Sequence, residues 1–259
     1  MTTRQDSSQD GPGGADGVPA GETTAPATGV TGVVYVAHRF PMRVAPHRVP
    51  SAYLLSPTRL LSHHPLDLRS LRVRIEQRLP RPAVLLMASA RHGEGRSIAA
   101  LHLSIAFTQG IARVAYVEAD FRRPALHTFF ELPASNGLAD LLRGTGPMGD
   151  ASACMLPTDV AGLYLLPAGV RSGSSDAHLL LQSPRLSALL AWLRGEADWT
   201  IIDAAPLLTY ADALPLLGQV DGVVVIAREG RTRDKDLASL SARLARTRAP
   251  ILETVHMEC

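Results

Sequence analysis

The segment Ser89-Ala90-Arg91-His92-Gly93-Glu94-Gly95-Arg96-Ser97 has the residue types of a phosphate grip. It follows an apolar run, Ala83-Val84-Leu85-Leu86-Met87, and leads into a helix-like stretch from Ser97 to Gln109. Glycines let a backbone curl until successive N–H groups point inward at phosphate oxygens, and a helix N-terminus behind them adds about half a positive charge. Gly93, Glu94, Gly95, Arg96, Ser97 and Ile98 are therefore the candidate nucleotide-binding residues. The usual pattern places lysine where this chain has Arg96.

Two further segments end in acids: Val117-Glu118-Ala119-Asp120, and Trp199-Thr200-Ile201-Ile202-Asp203-Ala204-Ala205-Pro206. In open parallel sheets ligands sit beyond the carboxyl ends of the strands, so the loop, Glu118, Asp120 and Asp203 should converge there. The chemistry would be phosphoryl transfer. Loop amides hold the β-phosphate, the Ser97 hydroxyl ligates Mg²⁺, Asp203 fixes that ion through water, and Glu118 or Asp120 orients the metal or a nucleophile. The predicted metal set is Ser97, Asp120 and Asp203; the predicted catalytic set is Glu118, Asp120 and Asp203. Taken singly, each piece also has a structural reading: a surface turn at Gly93–Ser97, a cap at a strand-end Asp, an ion pair of Glu118 with Arg122 or Arg123.

The elements that must position these groups alternate in a βα rhythm. Strands are predicted over 83–89, 113–119, 163–167, 199–203, 222–227 and 251–256. Helices are predicted over 67–79, 97–109, 124–130, 137–143, 184–195 and 234–247, with Ser183 as N-cap and Pro184 at the first position of the fifth. Continuous apolar strands point to a mostly parallel sheet covered on both faces, an α/β P-loop fold. Residues 1–30 are rich in Gly, Ala, Thr, Asp and Ser and are expected to be disordered. Residues 31–65 hold Pro41, Pro46, Pro50 and Pro57 and read as an irregular arm, leaving 66–259 as the nucleotide-binding domain.

Composition narrows the partners. A formal charge of +2 over 259 residues makes no electrostatic case for nucleic acid. Cys154 and Cys259 lie far apart, which fits a reducing compartment better than a disulfide framework. His63 and His64 are adjacent and lack ligand spacing. The most apolar region, 207–227, is broken by Asp212, Pro215 and Asp221, so no membrane span is expected and a cytoplasmic location is.

The ordered motifs resemble the bacterial tyrosine kinases, P-loop autokinases that govern capsule and exopolysaccharide synthesis. The loop at 88–98 reads ASARHGEGRSI where family members read like SASPGEGKST. Residues 116–124, YVEADFRRP, are similar to LIDADLRRP. GLADLLRG at 137–144, LPAG at 166–169, SPR at 183–185, IIDAAP at 201–206 and VDGVVVIAR at 220–228 follow in the family's order. The resemblance covers about Asp67 to Ile251. It implies ATP and Mg²⁺, a fold shared with MinD- and ParA-type ATPases, and ring-like homo-oligomers. It also implies a membrane-spanning polysaccharide chain-length regulator as partner, which would recruit a separate kinase chain to the membrane.

The departures set the functional alternatives. A planar guanidinium at Arg96 does not replace a compact ammonium at a tight phosphate site. Arg91 stands where MinD-type loops carry a second lysine, and Glu118 stands where the family has Asp. Of the family's E-x-x-R-x-x-R helix, Arg69 and Arg72 match, but Leu66 replaces the acid. No tyrosine follows Tyr210, so phosphorylation of a tyrosine-rich tail is not expected; Tyr35 and Tyr53 are the substitutes. Three readings result: a tyrosine autokinase with weakened or lost transfer, a catalytically degenerate regulatory subunit of a polysaccharide complex, and a ParA/MinD-type ATPase.

Overall fold

Pro80 and Pro82 end the first helix and release the chain into the central strand. The computed structural model describes residues 68–257 except 131, 133–135, 145–147 and 170–175. The expectations for 1–30 and for the arm at 31–65, including Tyr35 and Tyr53, lie outside the described residues, as do His63, His64 and Cys259.

Seven strands form one sheet: β1 (Ala83–Ser89), β2 (Val114–Ala119), β3 (Leu156–Pro157), β4 (Leu163–Leu166), β5 (Trp199–Ala204), β6 (Gly222–Arg228) and β7 (Ile251–Met257). Their order is β3-β4-β2-β5-β1-β6-β7, and every pairing is parallel except β3 with β4. Every residue of β1, β2 and β5 is buried, as expected of parallel strands with helices on both faces. At the edge, β7 is only half covered: Leu252, Val255 and Met257 face inward while Ile251, Thr254 and His256 are exposed.

The helices are α1 (Leu68–Arg78), α2 (Arg96–Thr108), α3 (Leu126–Phe130), α4 (Leu138–Arg143), α5 (Ala177–Leu181), α6 (Pro184–Glu196) and α7 (Asp234–Leu244). Side chains alternate across each strand, so the sheet has two cores. Leu85, Met87, Tyr116 and Ile201 pack under α1 and α2, with Trp199 stacked on Phe107 at 4.3 Å. Val84, Leu86, Val117 and Ile202 pack under α4, α5, α6 and α7. Residues 99–107 of α2 are all buried, which explains a helix that is apolar around its whole circumference. Ser183 caps α6 as its sequence predicts, accepting the Arg185 amide at 3.2 Å.

Four short elements add to the predicted set: β3, α5 and 3₁₀ turns at Met148–Cys154 and Leu214–Gly218. Each is too short for its hydrophobic period to stand out. Among the described residues, no helix is long and apolar enough to cross a membrane. Arg72, which matches the family's E-x-x-R-x-x-R helix, donates to the Ala106 carbonyl at 3.2 Å and ties α1 to α2.

Candidate functional site

β1 delivers the chain to the loop at Ser89, and α2 leaves it at Arg96. Gly93 (φ 78°) and Gly95 (φ 84°) take the left-handed conformation, and a Cβ at Gly93 would also stand 2.7 Å from the Arg231 guanidinium. Gly95 is the N-cap of α2 and brings no side-chain cap. The first amides of that helix therefore have neither an intrahelical nor a capping partner, and they open onto a cleft of about 240 Å³. Behind the loop, the Met257 side chain packs against Gly95, 3.4 Å from where a Cβ would sit.

The fold of the loop is pinned by Glu94, which is 1% exposed. Its Oε2 accepts the Arg91 amide at 2.9 Å and its Oε1 accepts the Thr232 hydroxyl at 2.7 Å. Thr232 Oγ1 in turn accepts the Arg228 amide at 2.8 Å, and the Arg228 side chain donates to the Gly93 carbonyl at 3.1 Å. Arg91, the counterpart of the second lysine, forms a two-pronged pair with Asp236 on α7 at 2.8 and 2.9 Å.

Arg96 does not extend into solvent. It is 6% exposed and lies among the strand-end acids. Its Nε donates to Asp203 Oδ1 at 2.5 Å, one terminal nitrogen donates to Asp120 Oδ2 at 2.9 Å, and the other donates to Ser89 Oγ at 3.2 Å. The remaining oxygens are engaged too. Asp203 Oδ2 accepts the Tyr116 hydroxyl at 2.9 Å, and Asp120 Oδ1 accepts the amides of Arg122 and Arg123 at 3.2 and 3.1 Å. Burial alone would lower the Arg96 pKa, but the Asp203 and Asp120 carboxylates outweigh it and hold the guanidinium charged. Burial and the Asp203 charge push the Tyr116 phenol well above its usual range, so it stays a donor.

Glu118 shares the face of β2 that carries Val114 and Tyr116, and its side chain turns away from the cleft. Oε1 accepts the amides of Ala125 and Leu126 at 2.5 and 2.7 Å, and Oε2 accepts the Ala168 amide at 3.0 Å. It fastens the start of α3 and the turn after β4 to the end of β2. Burial pushes its pKa up to about 7, with the three amide donors pulling the other way. In this position Glu118 organises backbone and holds no free edge toward the loop.

Of the predicted residues, Gly93, Glu94, Gly95, Arg96, Ser97, Ile98 and Asp120 line one cleft. Asp203 lies beneath it and connects to it through Arg96, while Glu118 stands apart. Several participants lie in the quoted motifs or near them without being singled out as site residues. Arg123 and Arg228 line the cleft. His92 meets Tyr210 edge to face at 5.5 Å, and Arg122, paired with Asp212, lies 4.2 Å over the same tyrosine ring. Burial lowers the His92 pKa and favours its neutral form.

Glycine loop, uncapped helix mouth and basic rim fit a di- or triphosphate. A divalent cation does not fit the acids as they stand, because the oxygens that would face it are occupied by Arg96. Among the described residues, no group of three or more His, Cys, Asp or Glu side chains is arranged to hold a metal ion.

No family model matches the chain. Individual proteins do. It is 31% identical to the tyrosine-protein kinase ptk of Acinetobacter johnsonii over 174 residues, 66% of this chain and 23% of that one. It is 29% identical to the tyrosine-protein kinase YwqD of Bacillus subtilis over 171 residues, 66% of this chain and 70% of that one. It is also 29% identical to the tyrosine-protein kinase wzc of Salmonella typhi, of which it spans only 20%. Among solved structures, the kinase domain of the Escherichia coli tyrosine kinase ETK matches with a TM-score of 0.67 at 22% identity, covering 74% of each chain. The BceF tyrosine kinase domain matches with a TM-score of 0.63 at 25% identity, covering 77% of this chain and 81% of that one.

Proposed function

Because this chain belongs to the bacterial tyrosine-kinase family, we propose that it is a nucleotide-binding member acting in capsule or exopolysaccharide synthesis, with phosphoryl transfer to tyrosine weakened or lost. The observation that carries the nucleotide reading is the cleft at the mouth of α2, walled by left-handed Gly93 and Gly95 and rimmed by Arg91, Arg123 and Arg228. The weakening is read from Arg96. In the family that position holds a lysine free to meet the phosphates, whereas here the side chain is spent on Asp203 and Asp120.

In this reading the chain works in the cytoplasm, with a membrane-spanning chain-length regulator as its partner and self-association as part of its cycle. ATP is the nucleotide that the family relation favours. The same Arg96 pairing favours a second reading, a regulatory subunit that signals by nucleotide-dependent shape without transferring phosphate. A ParA/MinD-type ATPase has less support. Cyanthece apo McdA shares the fold with a TM-score of 0.55 at 22% identity, but the sequence relatives are kinases.

The test combines two measurements on the full chain. Calorimetric titration with ADP and ATP is expected to give saturable binding. Anti-phosphotyrosine blotting after incubation with ATP, with and without the regulator's cytoplasmic tail, is expected to give weak or no signal. Absence of uptake at millimolar nucleotide would refute nucleotide binding. Strong self-phosphorylation by the unaltered protein would refute the weakened-transfer reading.

A further inference from the structure

The two carboxylates that the sequence reserves for a divalent ion already hold a cation, and it is part of the chain. Arg96 bridges Asp203 at 2.5 Å and Asp120 at 2.9 Å, and Ser89 takes a third nitrogen at 3.2 Å. We propose that the Arg96 guanidinium stands in place of the divalent cation, so that this cleft takes a nucleoside di- or triphosphate as the free anion, independently of Mg²⁺. The inference rests on the nucleotide-binding reading and refines it.

Geometry and charge both support the substitution. Mg²⁺ demands near-octahedral oxygen ligands at about 2.0–2.1 Å and gives up its waters reluctantly. A planar guanidinium between the same two acids excludes that shell, since both cannot lie between Asp203 and Asp120 at once. Displacing Arg96 would mean breaking two ion pairs around a side chain that is 6% exposed. The acids are also held from behind, Asp203 by Tyr116 and Asp120 by the amides of Arg122 and Arg123, so neither is free to swing toward a new ion. The second task of a divalent ion is to neutralise the phosphates. Here Arg123 and Arg228 line the cleft beside the amides of α2, and Arg91 lines it while paired to Asp236. Positive charge thus reaches the phosphates from the rim, while Arg96 bridges the acids below and offsets one of their two charges.

The experiment measures ADP and ATP affinity of the full chain by calorimetry in excess EDTA and in millimolar MgCl₂, alongside electron paramagnetic resonance of Mn²⁺ with nucleotide present. The expected result is no gain in affinity from MgCl₂, and a loss that is larger for ATP than for ADP because Mg²⁺ in solution sequesters the free anion, with the Mn²⁺ spectrum remaining that of the Mn²⁺–nucleotide mixture without protein. Arg96→Lys releases one or both acids and is expected to gain about tenfold in affinity from Mg²⁺, equivalent to ~1.4 kcal/mol, and to bind Mn²⁺. Unaltered protein that binds nucleotide only with Mg²⁺, or that immobilises Mn²⁺, overturns this inference and leaves the nucleotide reading standing. No binding in either buffer overturns both. An Arg96→Lys chain that folds, judged by circular dichroism, yet gains no metal dependence overturns the assignment to Arg96. The comparison on unaltered protein decides the matter if that variant does not fold.

Discussion

Replacing Arg96 with methionine keeps the length of the side chain and removes its charge, leaving Asp203 and Asp120 buried side by side, 1% and 2% exposed. Removing one member of a buried ion pair typically costs about 3–5 kcal/mol, because the remaining charge is stranded in low dielectric. Two carboxylates are stranded here, but each keeps its other donors: the Tyr116 hydroxyl for Asp203, and the amides of Arg122 and Arg123 for Asp120. We therefore expect the same range rather than twice it. For a domain of this size each kcal/mol moves the melting midpoint by about 2–4 °C, which predicts a fall of roughly 6–20 °C. Thermal melts of the full chain in EDTA measure it. Millimolar Mg²⁺ should recover part of the loss in the variant and none in the parent, since only the variant leaves room for the ion between the acids. A fall of less than about 3 °C, corresponding to ~1 kcal/mol, with no response to Mg²⁺ would show that Arg96 does not hold these carboxylates together.

Two further outcomes follow from the same packing. Glu94→Ala strips the Arg91 amide and the Thr232 hydroxyl of their buried acceptor. It should cost about 1–3 kcal/mol in urea melts and weaken ADP binding, and unchanged affinity would mean that the loop holds its shape without Glu94. Glu118 holds its proton more tightly in the folded chain, with a pKa of about 7, than at its ordinary value of 4.5. The resulting stability is complete below the ordinary value and is lost as pH rises through about 7, a change on the order of 3 kcal/mol. Glu118→Gln should flatten that decline, and melts of the two proteins running parallel from about pH 5 to about pH 8 would refute it.

Much of this was readable from the chain, for identifiable reasons. The apolar runs at 83–89, 199–203 and 222–227 read as buried strands of a parallel sheet, and they form the adjacent interior strands β1, β5 and β6. Pro184 after Ser183 fixed the start of a helix. Boundaries moved by a residue or two, except that α7 ends at Leu244 rather than Thr247. Glycine spacing located the loop, and strand-end position located Asp120 and Asp203. Glu118 was grouped with them by the same strand-end position and by its match to the family's acid segment. Strand alternation places it with Tyr116, and buried amides claim it there. The fate of Arg96 was not legible at all. Residue type predicts that a buried arginine needs acids, but only the register of β2 against β5, with Glu118 opposite Asp203, sets both carboxylates within its span.

Met257 on β7 supplies the back wall of Gly95, and Glu229 donates its amide to the Met257 carbonyl at 2.8 Å. The glycine loop therefore draws on residues separated by more than half the length of the chain. Parallel pairings of such sequence separation form late and slowly. During synthesis the loop and α2 emerge early, but they lack their supporting wall until the last strand has left the ribosome and docked. In the nucleotide-binding reading, competence of the loop waits on the docking of β7.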